Sequence, residues 1–173
     1  MGAKAAGSIV WVHNFFIGRT LAFVQTGPYA ATMRVAVISD THDKLPGPLC
    51  VRLRGADEIW HLGDVCSPMI IATLETIAPV RVVRGNCDED YSWPLTLDFT
   101  LEGIRFHLEH IPNLGPQKCD VFLHGHTHVA RDEMVNGVRY LNPGCISRPR
   151  SGPPSFAWLI VEKGTMSWKS MLV

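Results

Sequence analysis

A chain of 173 residues fits one ordinary domain and can bury a substantial apolar core without disulfides or a structural metal, which argues against a second full domain. Sixteen Lys and Arg balance sixteen Asp and Glu, so no overall basic field exists to hold duplex DNA or a long single strand through many phosphate contacts. No stretch reaches the roughly 20 apolar residues of a membrane-spanning helix.

The N-terminal run IVWVHNFFIGRTLAFV is apolar but interrupted by His13, Asn14 and Arg19, and no clear small-residue cleavage site follows, which disfavours a secretory signal. Met33 directly precedes the first strong strand pattern. Residues 1–32 therefore read as an appended leader or an over-long start, and 33–173 as a single domain. From there β-rich runs alternate with helix-length segments: RVAVIS, KLPGPLCVRLRG, EIWHL, PMIIATLETIA, VRVVRG. Continuously apolar strands of this kind belong to a sheet covered on both faces, in α/β order, with the loops at strand ends as the expected site. After Asn86 the pattern predicts mostly antiparallel β: a hairpin turning at Glu102-Gly103, the strand VFLHG, a hairpin at Asn136-Gly137 and a last one at Lys163-Gly164. Cys50, Cys66, Cys87, Cys119 and Cys145 are odd in number and never form CxxC, which argues against a disulfide framework or a zinc knuckle and makes a reducing cytoplasm the simplest setting.

The polar residues at strand ends carry the chemistry. They are Asp40 and His42 in SDTHD, Asp64 in LGD, Asn86 in RGNCD, His110 in LEH, and His126 and His128 in HGHTH. Each short motif has a plain alternative: Asp40 as a helix cap, LGD, GNCD and NPG as turn chemistry. Three histidines within HGHTH are harder to explain by packing. Residues i and i+2 on extended backbone share a side, so DTH and HTH can each aim two side chains at one ion. Mixed oxygen and nitrogen donors suit manganese, iron, zinc or nickel better than magnesium or calcium. Seven donors exceed one tetrahedral shell but divide between two ions about 3.5–4 Å apart if a carboxylate bridges.

In this order the motifs resemble the calcineurin-like metallophosphoesterase superfamily, whose pattern is DxH, GD, GN, a histidine, then GHxH. GNCD and the closing NPG resemble its small prokaryotic phosphodiesterase subgroup. The resemblance covers residues 33 to about 162 and implies a four-layer αββα sandwich with two central mixed β-sheets and a dinuclear centre. It implies that Asp40, His42, Asp64 and His128 hold one divalent ion and Asp64, Asn86, His110 and His126 the other, with manganese the first choice. Asp64 then bridges, a hydroxide between the ions attacks a small phosphodiester, and Asn86 steadies the phosphoryl charge. Some members keep the fold as a non-catalytic scaffold for a protein partner, and homodimers occur; loss of ligands marks the scaffolds, and here every ligand position is filled. His61 and His124 match no ligand position and read as supporting groups.

Two departures concern the site. His110 is followed by Ile111 and Pro112 rather than glycine, and His107 is a nearby competitor; strand alternation places His110 with Phe106 and Leu108 and His107 with Glu109. Cys87 stands where many members carry a histidine suited to protonating the leaving group, so it is either a weak acid or a packing residue. Arg148 and Arg150 either meet a substrate phosphate or merely solvate their loop.

Overall fold

The computed structural model describes residues 32–113, 115 and 117–173, so the expected extension lies outside the described residues except for Thr32. In chain order the elements are β1 (Met33–Ile38), α1 (Gly47–Arg52), β2 (Glu58–His61), α2 (Pro68–Glu75), β3 (Val80–Val82), β4 (Thr96–Leu101), β5 (Ile104–Glu109), β6 (Val121–Leu123), β7 (Arg131–Val135), β8 (Val138–Asn142), β9 (Ser155–Glu162) and β10 (Thr165–Leu172). Among the described residues no helix is long and apolar enough to cross a membrane.

The apolar runs of β1 and β2 leave both faces buried. Ala36, Ile38 and Ile59 pack on Leu49 and Leu53 of the α1 region and on Ile70, Ile71 and Leu74 of α2, while Val35, Val37 and Trp60 point the other way. Both helices therefore cover one face of a sheet ordered β10-β9-β1-β2-β3, in which β1 to β3 are parallel. Pro68 opens α2, where a missing N–H leaves nothing unpaired. The second sheet, β4-β5-β6-β8-β7, closes the main core through Phe106, Leu108, Leu123 and Leu141. Trp60 sits edge-on to Phe99 and Phe106, with centroids 5.1 and 5.3 Å away. Burying each such side chain contributes about 1.5–3 kcal/mol, more than a surface ion pair.

The three hairpins turn where expected, each with two successive residues at positive φ, the geometry that matches strand twist. The second half is less antiparallel than those hairpins suggest. β6 pairs in parallel with both β5 and β8, because crossovers rather than tight turns connect them. β9 leaves its sequence neighbours to join the first sheet beside β1.

The two mixed sheets and the helical layer over the first of them match the expected sandwich. Between β5 and β6 the described residues form no helix, and Pro112 and Gly115 suit a loop there. Cys119, Phe122, Val138 and Tyr140 form a small buried cluster on the outer face of the second sheet, with Gln117 bonding Tyr140.

Candidate metal centre

β1, β2 and β3 run parallel in one sheet and β5, β6 and β8 in the other, so their C-terminal ends open on a common edge, where α/β sheets place their ligands. Main-chain hydrogen bonds lace the loops there. Asp40 N–H donates to Gly63 O at 3.0 Å, His42 N–H to Asp64 O at 3.0 Å, Gly125 N–H to His110 O at 3.1 Å and Ile146 N–H to Ser39 O at 3.2 Å.

The extended-backbone account of the DTH and HTH pairs does not hold. Asp40, His42, His126 and His128 are left-handed, with φ of 55°, 41°, 65° and 58°, as is Asp64 at 54°. That conformation costs an ordinary residue about 1–2 kcal/mol. Its recurrence at five donor residues marks a place where stability is given up for side-chain direction. Asp40 and His42 do converge, but the histidine pair separates. His128 Nε2 lies 3.1 Å from Asp40 Oδ1 and 3.3 Å from His42 Nε2, whereas His126 Nδ1 lies 3.0 Å from Asn86 Oδ1 and its ring meets that of His110 edge-on at 5.3 Å.

Two groups of donors result. In the first, ligand atoms of Asp40, His42, Asp64 and His128 all lie within 4.8 Å of one another. His110, His126 and Asn86 form a looser second set, tied by the His126–Asn86 bond and the edge-on rings rather than closed into such a cluster. Asp64 faces both, with Oδ2 3.7 Å from His42 Nε2 and Oδ1 3.3 Å from His110 Nε2. His107 joins neither: its ring lies on the opposite face of β5, bonded to Asp98 at 2.8 Å and Glu109 at 3.1 Å, as alternation requires.

The donor chemistry fits divalent ions. His128 Nδ1–H donates to Arg148 O at 2.6 Å and His110 Nδ1–H to Leu62 O at 2.7 Å, which turns each Nε2 lone pair toward a carboxylate. Asp40 Oδ1 and His110 Nε2 are buried without a hydrogen-bond partner. Lone pairs opposed in this way repel unless positive charge lies between them. Burial raises the pKa of Asp40 and lowers those of His42 and His126, so the rings favour the neutral form that a metal needs. Burial also opposes charge on Asp64 and His110. The nearness of the two groups, Oδ1 to Nε2 at 3.3 Å, overcomes it, with the Cys87 N–H on Asp64, drawing the carboxyl well below its usual range and the imidazole above its own.

Residues not singled out from the sequence hold these donors in place. Ser39 Oγ donates to Asp40 Oδ2 at 2.6 Å. Asp88 accepts N–H groups from Asp64 at 3.0 Å, Cys66 at 2.7 Å and Gly85 at 2.7 Å; its signal was the last letter of GNCD, read only as turn chemistry. Asn142 of NPG donates to Gly125 O at 3.0 Å and Thr127 Oγ1 at 3.1 Å, fixing the histidine loop.

His61 and His124 are supports, as the sequence suggested. Gly63 N–H donates to His61 Nδ1 at 3.2 Å, so Nε2–H donates to Thr41 Oγ1 at 3.1 Å, between Asp40 and His42. Burial lowers the His61 pKa to about 3 and the His124 pKa to about 4, against an ordinary 6.5. Below pH 6.5 the unfolded chain therefore binds protons that the folded chain refuses, and stability falls as pH falls toward 4. Each ring should contribute a slope of about 1.4 kcal/mol per pH unit in that window. Urea unfolding at pH 7, 6 and 5 measures it, and His61→Gln should remove one ring's share; an undiminished slope would mean that His61 is not held neutral.

Above the donors opens a cavity of about 310 Å³ lined by His42, Asp64, Asn86, Cys87, His126, His128, Arg148 and Arg150. Cys87 is exposed to it rather than packed beneath, and its N–H donates to Asp64 Oδ1 at 2.8 Å.

Two mixed sheets with an Asp/His cluster at their common strand ends make a site suited to divalent metal ions. The sequence profile described as the calcineurin-like phosphoesterase superfamily domain matches residues 33–164, and the chain belongs to that superfamily, a family of phosphoric ester hydrolases. A probable metallophosphoesterase of Methanothermobacter thermautotrophicus is 34% identical over 149 residues, 75% of this chain and 87% of its own. Phosphodiesterase YfcE of Escherichia coli K12 is 30% identical over 155 residues, 71% of this chain and 84% of its own. Vps29 of Entamoeba histolytica complexed with Zn2+ superposes with a TM-score of 0.65, covering 80% of this chain and 98% of its own; at 24% identity this likeness shows the fold alone.

Proposed function

We propose that the protein is a phosphodiesterase of small substrates working at a dinuclear centre. Asp40, His42, Asp64 and His128 would hold one ion and Asp64, Asn86, His110 and His126 the other. The observation that carries this reading is the pair of buried, unpartnered ligand atoms, Asp40 Oδ1 and His110 Nε2, on either side of Asp64. When bound, the ions supply Lewis acidity and an activated water. The chain supplies aim: Leu62 O and Arg148 O fix the tautomers of His110 and His128, and Asp88 anchors the Asp64 and Gly85 backbone. The exposed Asn86 amide lines the cavity and would meet a phosphoryl oxygen there. The donor set suits manganese first, with iron, nickel or zinc as alternatives. The phosphodiesterase names of its relatives support the ester class.

Burial and the Asp64 carboxylate both raise the pKa of the Cys87 thiol, so it remains protonated and is a poor acid for a reluctant leaving group. Diesters with good leaving groups should therefore outrun monoesters. The test is metal analysis of the purified chain, chelator stripping, and assays on bis-aryl and mono-aryl phosphates with each metal restored. Restored turnover with two ions bound supports the reading; full metal loading without hydrolysis defeats it. Cys87→His should lower the diester-to-monoester rate ratio by about tenfold, the low end of general-acid effects. An unchanged ratio removes Cys87 from leaving-group selection.

A further inference from the structure

The segment 145–150 meets the cavity in two ways. Its main chain braces the donor loops: Arg148 O accepts the His128 Nδ1–H, Ile146 N–H donates to Ser39 O, and Arg150 N–H donates to His128 O at 3.4 Å. Its exposed Arg148 and Arg150 side chains line the cavity itself. Among the described residues neither guanidinium has a carboxylate or other acceptor. Most other arginines are engaged: Arg81 with Glu58, Arg105 with Asp120, Arg131 with Glu133 and Arg139 with Asp132, while Arg34, Arg52 and Arg84 lie over aromatic rings. Of the described arginines only Arg54, which does not line the cavity, is likewise without a side-chain partner.

Their chemistry says what they await. Each is a fixed positive charge at the cavity with no carboxylate beside it among the described residues. A guanidinium presents a planar fork that matches an oxyanion with two parallel hydrogen bonds. We infer that Arg148 and Arg150 form a second anion subsite on the cavity rim, selecting phosphodiesters that carry a further phosphoryl or carboxylate group. This inference rests on the proposed phosphodiesterase reading and narrows its substrate class.

The test is calorimetric binding of propylphosphonate, phosphonopropionate and propanediphosphonate to the full, metal-loaded chain. These share one phosphonate and differ in the second group. The doubly anionic ligands should bind at least about tenfold tighter than propylphosphonate, as expected for charge-assisted hydrogen bonds. In Arg148→Gln/Arg150→Gln the preference should fall to about twofold, and each single variant should lose part of it. The loop's hold on His128 runs through the backbone, so these exposed side chains can be replaced without removing it. A stronger preference for the diphosphonate assigns the second group as phosphoryl, and for the carboxylate ligand as carboxyl. Equal binding of all three to the unmodified chain, or a preference that survives both the double and the single variants, overturns the subsite. Binding is read without turnover, so a failure to hydrolyse any ester strikes the proposed activity alone.

Discussion

Asp64→Asn is expected to lower kcat/KM on aryl diesters by at least about 10³-fold and to leave fewer than two ions bound per chain. Among the described residues Asp64 is the buried carboxylate whose two oxygens face different donor groups, 3.7 Å from His42 Nε2 and 3.3 Å from His110 Nε2. Asparagine keeps the shape and an oxygen but loses the charge and one of the two acceptor positions. A lost metal contribution of several kcal/mol corresponds to about three orders of magnitude in rate. The Asp64 main-chain N–H would still donate to Asp88, so the variant should remain folded by circular dichroism. Metal content by mass spectrometry and steady-state rates decide the matter together. Two tightly bound ions with undiminished turnover in the variant would show that no shared carboxylate is needed.

Gly85→Ala should be a strongly damaging single-methyl change at the site. A Cβ there would collide with Asp64 Oδ1 and the Asp64 main-chain nitrogen, neither of which is the free end of a flexible chain. The Gly85 N–H is itself bonded to Asp88, so the strand end cannot move aside without breaking that anchor. Overpacking of this kind costs about 1–3 kcal/mol, and displacing Asp64 should weaken metal binding by about 10–100-fold. Gly47→Ala is the matched control, since a Cβ at that helical position meets nothing within 4 Å. Urea midpoints and metal titrations of the two variants compare directly. Should Gly85→Ala prove as mild as Gly47→Ala, the close approach of β3's end to Asp64 is not a working constraint.

Much of the fold was legible because it is written in local chemistry. Unbroken apolar runs announced β1 and β2, and Asn136-Gly137 announced its hairpin through the positive φ it tolerates. Alternation separated His110 from His107, since a period of two assigns faces without knowledge of the partner strand. The parallel pairing of β6 was not legible, for nothing in VFL names its neighbours. Asp88 was missed for a related reason: its role is to accept three backbone N–H groups from two loops, and a lone aspartate after a turn carries no mark of that.

From residue types and order alone came the seven donors, their position at strand ends and their suitability for borderline divalent ions. Tertiary structure decided which of them meet. His42 and His128, 86 positions apart, come within 3.3 Å, while His126 and His128, two positions apart, join different groups. Sequence spacing predicts direction only on regular backbone, and these donors sit on left-handed turns whose angles are imposed by neighbouring loops. Where backbone is regular, direction follows from the residue's number; where it is strained, direction follows from whatever holds the strain in place.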